Sequence, residues 1–70
     1  MVEKVDIRRG DDGDGVKAVQ KLLVKNGATL KADGVFGPVT EQAVKDFQTT
    51  SGGLIVDGIV GVHTLLALTG

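Results

Sequence analysis

The sequence contains no cysteine, tryptophan or tyrosine, and it has a single histidine and a single proline among 70 residues. Without cysteine, neither a disulfide nor a thiolate metal site can reinforce the fold. A chain of this length buries only ~60% of its unfolded surface, so the core alone must stabilise it. Because 41% of the residues are apolar, such a core is feasible, and we expect one domain over residues 1–70.

An excess of positive charge is also missing. The chain has 8 basic and 9 acidic residues and a net charge of −1. This balance argues against nucleic acid and against an anionic membrane surface as partners. No apolar run approaches the ~20 residues that span a bilayer. Residues 1–9 lack the apolar core of a signal peptide, so we expect an export signal on a longer parent chain, or release by cell lysis.

Catalytic side chains are scarce. His63 and Ser51 are the only histidine and serine, and nothing in the pattern orients them as a nucleophile and its base. The two glutamates, Glu3 and Glu41, lie far apart in sequence, whereas glycosidase chemistry needs two carboxylates across a cleft. One histidine and no cysteine do not supply the three ligands of a catalytic zinc. We therefore expect no enzymatic activity, no metal and no cofactor.

A cluster of aspartates at residues 11–14 resembles a calcium loop at first sight. A loop that starts at Asp12 places Asp14 at its third position, but Val16 and Leu23 then occupy the fifth and twelfth positions. Neither side chain can ligate calcium. These acids better complement the positive end of a helix that starts nearby.

An internal repeat organises the rest of the chain. The pattern Asp-Gly-x-x-Gly-x-x-Thr occurs at residues 33–40 and again at residues 57–64. Asp-Gly is a turn signal, and a glycine followed by Pro38 is typical of a helix start. Thr40 and Thr64 fall in the first helical turn, where a hydroxyl can tie the helix to the preceding loop. Each copy therefore predicts a turn followed by a helix.

The apolar spacing predicts three short helices, at about 14–26, 38–50 and 62–69, after an extended lead-in at 1–8. The predicted fold is all-α, a small three-helix bundle with glycine-rich turns that contains a doubled turn-helix motif. The residues expected to be buried are Val16, Val19, Leu22 and Leu23 in the first helix, Val39, Ala43, Val44 and Phe47 in the second, and Leu65, Leu66 and Leu68 in the third.

Some polar and aromatic residues have two interpretations. Asp33 and Asp57 are expected to fix their turns, with ligand contact as the alternative. Phe36 lies in a turn, where partial exposure would make it a better ligand candidate than Phe47, which is expected in the core. Gln20 and Gln48 each follow an apolar position. The sequence leaves open whether they hydrogen-bond the backbone or face a ligand.

The arrangement strongly resembles the type 1 peptidoglycan-binding domain family. The resemblance covers about residues 7–68, and its most specific element is the doubled Asp-Gly-x-x-Gly motif in this order and spacing. The matching segments are Ile7–Gly10, Gly13, Val16, Val19–Gln20, Leu22–Leu23, Asp33–Thr40, Ala43–Val44, Phe47–Gln48, Leu54, Asp57–Gly61, Thr64 and Leu68.

The resemblance implies a three-helix module that binds bacterial peptidoglycan without catalysing a reaction. Modules of this kind are usually linked to amidases, peptidases or muramidases, including phage endolysins, and hold them at the cell wall. We therefore expect peptidoglycan and a covalently linked catalytic domain as partners, an extracytoplasmic location at the wall, and a monomer. The alternative is a protein-docking module of the same fold. The candidate ligand-binding residues are Phe36, Thr40, Gln48, Asp57, Thr64 and, more weakly, Asp33.

Overall fold

The computed structural model describes residues 6–70, which form three helices. They are α1 (Asp14–Lys25), α2 (Pro38–Ser51) and α3 (Val62–Thr69). Over these residues the only extended pairings are two isolated bridges, so the predicted all-α class is confirmed. Residues 1–5 of the predicted lead-in lie outside the described part of the chain. Within that part, no helix is long and apolar enough to cross a membrane.

Each helix begins directly after a glycine: Gly13, Gly37 and Gly61 occupy the three N-cap positions. Pro38 then takes the first position of α2, where its missing N–H is no loss because that group has no partner inside a helix. At the other end, Gly52 has φ 74°, a left-handed conformation that stops α2 and that side chains with a Cβ rarely adopt. Glycines therefore mark all three helix starts and the end of α2, whereas Asn26 caps the end of α1.

Both α2 and α3 pack against α1, and the hydrophobic core lies between α1 and these two helices. Partly buried apolar residues on the helices, and on the segments before and after α1, pack against this core. The fully buried apolar residues are Val16, Val19, Leu23, Phe36, Val44, Val60 and Leu68.

The segment before α1 holds both repeated turns by backbone hydrogen bonds. Ile7 and Val60 exchange two of them, with N···O distances of 3.0 and 2.8 Å. Further along, the Phe36 N–H donates to the Asp11 carbonyl at 3.0 Å, and the Gly13 N–H donates to the Gly34 carbonyl at 2.8 Å. Each turn that precedes a helix is thereby tied to the same short stretch of chain.

Helix α2 presents adjacent rows of side chains, since residues four apart lie above one another. The row of Thr40, Val44 and Gln48 is buried in the fold. The neighbouring row begins at Val39, which is 66% exposed, so the prediction that Val39 is buried was wrong. The reason is its position around the helix: Val39 lies one residue before the buried row, on the same face as Ala43 and Phe47, and this face lines a surface groove.

Leu66 in α3 was also predicted to be buried, and it is 62% exposed. The buried residues of this helix are Thr64 and Leu68. Leu66 lies two positions from each of them, which places it on the opposite face of the helix. Leu65, the third leucine of this helix, is partly buried and packs against the core.

Candidate functional site

Gln20, on α1, holds the first repeated turn with its side-chain amide. Its Nε2 donates to the Asp33 carboxylate at 3.1 Å, to the Val35 carbonyl at 3.0 Å and to the Thr40 hydroxyl at 3.0 Å. Its Oε1 accepts from the Gly34 N–H at 2.8 Å. One side chain thus connects the aspartate, the glycine and the threonine of the motif, and we call this arrangement the first glutamine clamp.

Gln48, on α2, forms the second glutamine clamp with the second copy of the motif. Its Nε2 donates to the Asp57 carboxylate at 3.0 Å, to the Ile59 carbonyl at 3.0 Å and to the Thr64 hydroxyl at 3.2 Å. Its Oε1 accepts from the N–H groups of Asp57 at 3.1 Å and Gly58 at 3.0 Å. The repeat in sequence is therefore a repeat of one hydrogen-bond network.

Both glutamines are 1% exposed, so these polar groups are removed from water. A buried polar group without a partner is costly. In the described part of the chain, no buried side-chain nitrogen or oxygen lacks a hydrogen bond. The clamps therefore satisfy their own polar groups and those of the turns they hold.

The two motif aspartates are charged at neutral pH and help to fix their turns. The Val35 N–H and then the Gln20 amide donate to Asp33, and they lower the pKa of its carboxyl below the ordinary value of 3.8. The Ile59 N–H and the Gln48 amide lower the pKa of Asp57 in the same way. The expectation that each aspartate fixes its turn is confirmed by these bonds.

The predicted ligand residues fall into these two clamps. Asp33 and Thr40 meet at Gln20, whereas Asp57 and Thr64 meet at Gln48. Thr40, Thr64 and Gln48 are buried, with exposures of 3%, 5% and 1%. Of the candidate set, only the two aspartates are open to solvent.

Phe36 was predicted to be partly exposed, and this was wrong because it is 1% exposed. Its backbone pairs with Asp11 and Gly10 of the segment before α1, and its side chain joins the core cluster. Phe47, which was predicted to be in the core, is only partly buried. Phe47 packs against the core and also lines a groove on the surface of the fold, so Phe36 is the more buried of the two aromatics, contrary to the prediction.

This groove has a volume of about 830 Å³ and lies between the end of α1, the outer rows of α2 and the end of α3. Its floor, formed by the more buried lining residues, is apolar and includes Leu23, Ala28, Ala43, Phe47 and Ala67, and its exposed rim is mostly polar, with Val39 as the apolar exception. Clefts of about 300–1,000 Å³ with apolar walls and a few polar groups are typical of ligand sites. The lining residues are Leu23, Asn26, Gly27, Ala28, Thr29, Val39, Gln42, Ala43, Asp46, Phe47, Thr50, Ser51 and Ala67.

None of the six predicted ligand residues is among those that line the groove in the described structure. A smaller depression of about 370 Å³ borders Asp33 and Thr40 and shares Val39 with the groove. Sequence reasoning missed the groove because its walls come from three separate segments. The one available signal was the row of apolar residues at Val39, Ala43 and Phe47, which was assigned to the core.

Among residues 6–70, no cluster of three or more histidine, cysteine, aspartate or glutamate side chains could hold a metal ion. His63 is exposed in the first turn of α3. The groove contains one ionisable side chain, Asp46, which accepts a hydrogen bond from Gln42 at 2.9 Å.

Comparison with known proteins agrees with this description. Residues 12–68 match the family described as "Putative peptidoglycan binding domain". The chain is 48% identical over 63 residues to the autolytic lysozyme of Clostridium acetobutylicum, an alignment that covers 86% of this chain and 18% of the lysozyme. It is similar to the crystal structure of the Burkholderia AP3 phage endolysin, with a TM-score of 0.90, 39% identity, and coverage of 94% of this chain and 25% of the endolysin.

A further similar structure is the SleB N-terminal domain, with a TM-score of 0.87 and 40% identity, covering 99% of this chain and 94% of that domain. The chain spans only 50% and 18% of the first two curated relatives it matches. It therefore corresponds to a single module within larger relatives. The family match covers most of the chain and the fold agrees, so this chain belongs to the peptidoglycan-binding domain family, type 1.

Proposed function

We propose that the groove is the surface that binds bacterial peptidoglycan, and that the chain tethers a catalytic domain to this insoluble substrate. The observation that carries the proposal is the groove itself, with its volume of about 830 Å³, apolar floor and polar rim. Its apolar floor suits the methyl groups of N-acetylated sugars and of alanine residues, and its rim suits their amides.

Tethering works through effective concentration. A module that binds the wall weakly keeps a linked enzyme near its substrate, so each later encounter is in effect intramolecular. The similarity to the autolytic lysozyme and to the phage endolysin, of which this chain covers small shares, supports such a parent protein. We expect this protein to act at the wall, outside the cytoplasm, with the module itself as a non-catalytic monomer.

Under this proposal the six residues predicted from the sequence act indirectly. The glutamine clamps hold Thr40 and Thr64 and so fix the start of α2 and α3, while Phe36 packs in the core. Because α2 supplies two rows of the groove, its position determines the shape of the site. Asp33 and Asp57 are open to solvent, so direct contact with the wall remains the alternative role for these two residues.

The test is retention of the purified chain in washed pellets of peptidoglycan sacculi, with a groove-filling variant and a matched control. Thr50 lines the groove and Thr49 does not, although both are exposed on the last turns of α2. We expect Thr50→Trp to weaken binding about tenfold, a change of roughly 1.4 kcal/mol. We expect Thr49→Trp to bind as the wild-type chain does.

If both tryptophan variants bind sacculi equally well, the groove is not the binding surface, although the chain still binds the wall. A folded chain that stays in the supernatant with sacculi of several chemotypes would instead favour protein docking. The exposed apolar residues Ile55 and Leu66, at 80% and 62%, are the observation that keeps this second function open.

A further inference from the structure

Asn26 lines the groove, and two hydrogen bonds hold its side-chain amide in place. Its Nδ2 donates to the Leu22 carbonyl at 2.8 Å and to the Leu68 carbonyl at 3.0 Å. A primary amide has two N–H donors, so both are occupied. The side-chain oxygen is left to accept from a ligand, and the two bonds to the ends of α1 and α3 hold the amide in place.

A second set of acceptors lies on α2. Gln42 Nε2 donates to Asp46 Oδ1 at 2.9 Å, one helical turn away. This bond orients the carboxylate and leaves its second oxygen, together with the Gln42 carbonyl oxygen, as acceptors. Asn26, Gln42 and Asp46 all line the groove.

The charge of the groove is of one sign. Asp46 is the only charged residue in the groove lining of the described structure, which contains no lysine, arginine or histidine. The neighbouring Lys45 packs elsewhere: its aliphatic chain lies against Gly58, so close that a Cβ on Gly58 would be 3.1 Å from its Cε. A ligand carboxylate in the groove would find no cationic partner and would be repelled by Asp46, whereas a cation would be attracted.

We infer that the groove takes a free primary ammonium group of the wall peptide, the side-chain amine of a diamino acid that is not used in a cross-link. This inference rests on the proposed function. The ammonium pairs with the Asp46 carboxylate, and the side-chain oxygens of Asn26 and Gln42 are further acceptors among the groove-lining residues, since an ammonium has three N–H donors and no acceptor. The methylene groups behind the ammonium lie on the apolar floor at Ala43 and Phe47.

The experiment compares sacculi with free amines and sacculi whose amines have been acetylated with acetic anhydride, which removes the positive charge. We expect the wild-type chain to bind acetylated sacculi about fivefold more weakly than native sacculi. A loss of this size lies between that expected for an exposed ion pair and that expected for a buried hydrogen bond to a charged group. Asp46→Asn should weaken binding to native sacculi to the same extent and should show no further loss after acetylation.

Asp12→Asn is the matched control, because Asp12 is an exposed aspartate outside the groove lining and its loss changes the net charge equally. We expect this variant to respond to acetylation as the wild-type chain does. Two results would overturn the ammonium site while the wall-binding function stands. In the first, acetylation leaves the binding of the wild-type chain unchanged. In the second, acetylation weakens the binding of Asp46→Asn as much as that of the wild-type chain. Absence of binding to native sacculi would overturn both.

Discussion

Replacing Gln48 by methionine tests whether the glutamine clamp stabilises the fold. Methionine has a similar length and no strong hydrogen-bonding group, so the substitution removes five hydrogen bonds with little change of volume. Two of the groups left behind, the Gly58 N–H and the Thr64 hydroxyl, are in buried residues. Each buried group that loses its partner costs about 1–3 kcal/mol, and the exposed partners cost little because water replaces the bond.

These contributions give an expected loss of about 3–5 kcal/mol in the free energy of unfolding. A chain of this size has a total stability of roughly 4–10 kcal/mol, so the variant loses about a third of it or more. The assay is urea denaturation followed by far-ultraviolet circular dichroism, with stability taken from the midpoint and slope.

Gln42→Met is the control, since Gln42 is an exposed glutamine on the same helix and its bond to Asp46 is at the surface. We expect its effect to stay within about 0.5 kcal/mol. Equal losses for the two variants would refute the argument, because the cost would then reflect the residue type and not the buried network.

Two further predictions concern the second turn. Gly58 has φ 76°, and a Cβ there would lie 2.9 Å from Glu41 Cγ, whereas Gly52 has φ 74° and open space around it. Gly58→Ala should therefore lose about 1 kcal/mol more stability, measured by urea denaturation, than Gly52→Ala, because Gly52→Ala introduces only backbone strain. Equal losses for the two variants would show that the contact with α2 relaxes freely. Because the pKa of Asp57 is lowered in the folded state, its contribution is present above the ordinary value of 3.8 and is lost as the pH falls through the lower folded value. Between neutral pH and about pH 2, the melting temperature of Asp57→Asn should therefore fall less than that of the wild-type chain. Asp12→Asn is the charge-matched control. Parallel curves of melting temperature against pH for the wild-type chain and both variants would contradict this prediction.

The helices were predictable because local signals determine them. Glycine and proline mark the starts of α1, α2 and α3, and apolar spacing identifies the face that contains Val16, Val19 and Leu23. Residue type alone did not distinguish a buried position from one two residues away, which is why Leu66 was assigned to the core. The assignment of Val39 failed for a related reason, because its row on α2 borders a groove and not another helix.

The candidate site was less predictable because it depends on contacts between distant residues. Gln20 and Gln48 are hydrogen-bonded to aspartates 13 and 9 residues away, and no local pattern selects those partners. The wall of the groove at Asn26 depends on a bond to Leu68, 42 residues later. Phe36 illustrates the same limit, since its turn lies on the surface while its ring enters the core.

The two clamps share four equivalent hydrogen bonds although different lengths of chain separate each glutamine from its aspartate, 13 residues in one case and 9 in the other. The connecting segment therefore can lengthen or change its sequence during evolution without altering the network that determines the fold. In the first repeat this segment includes Asn26 to Thr29, which form one wall of the groove. A substitution in this segment therefore changes the proposed recognition surface while the clamp that holds the scaffold keeps its hydrogen bonds.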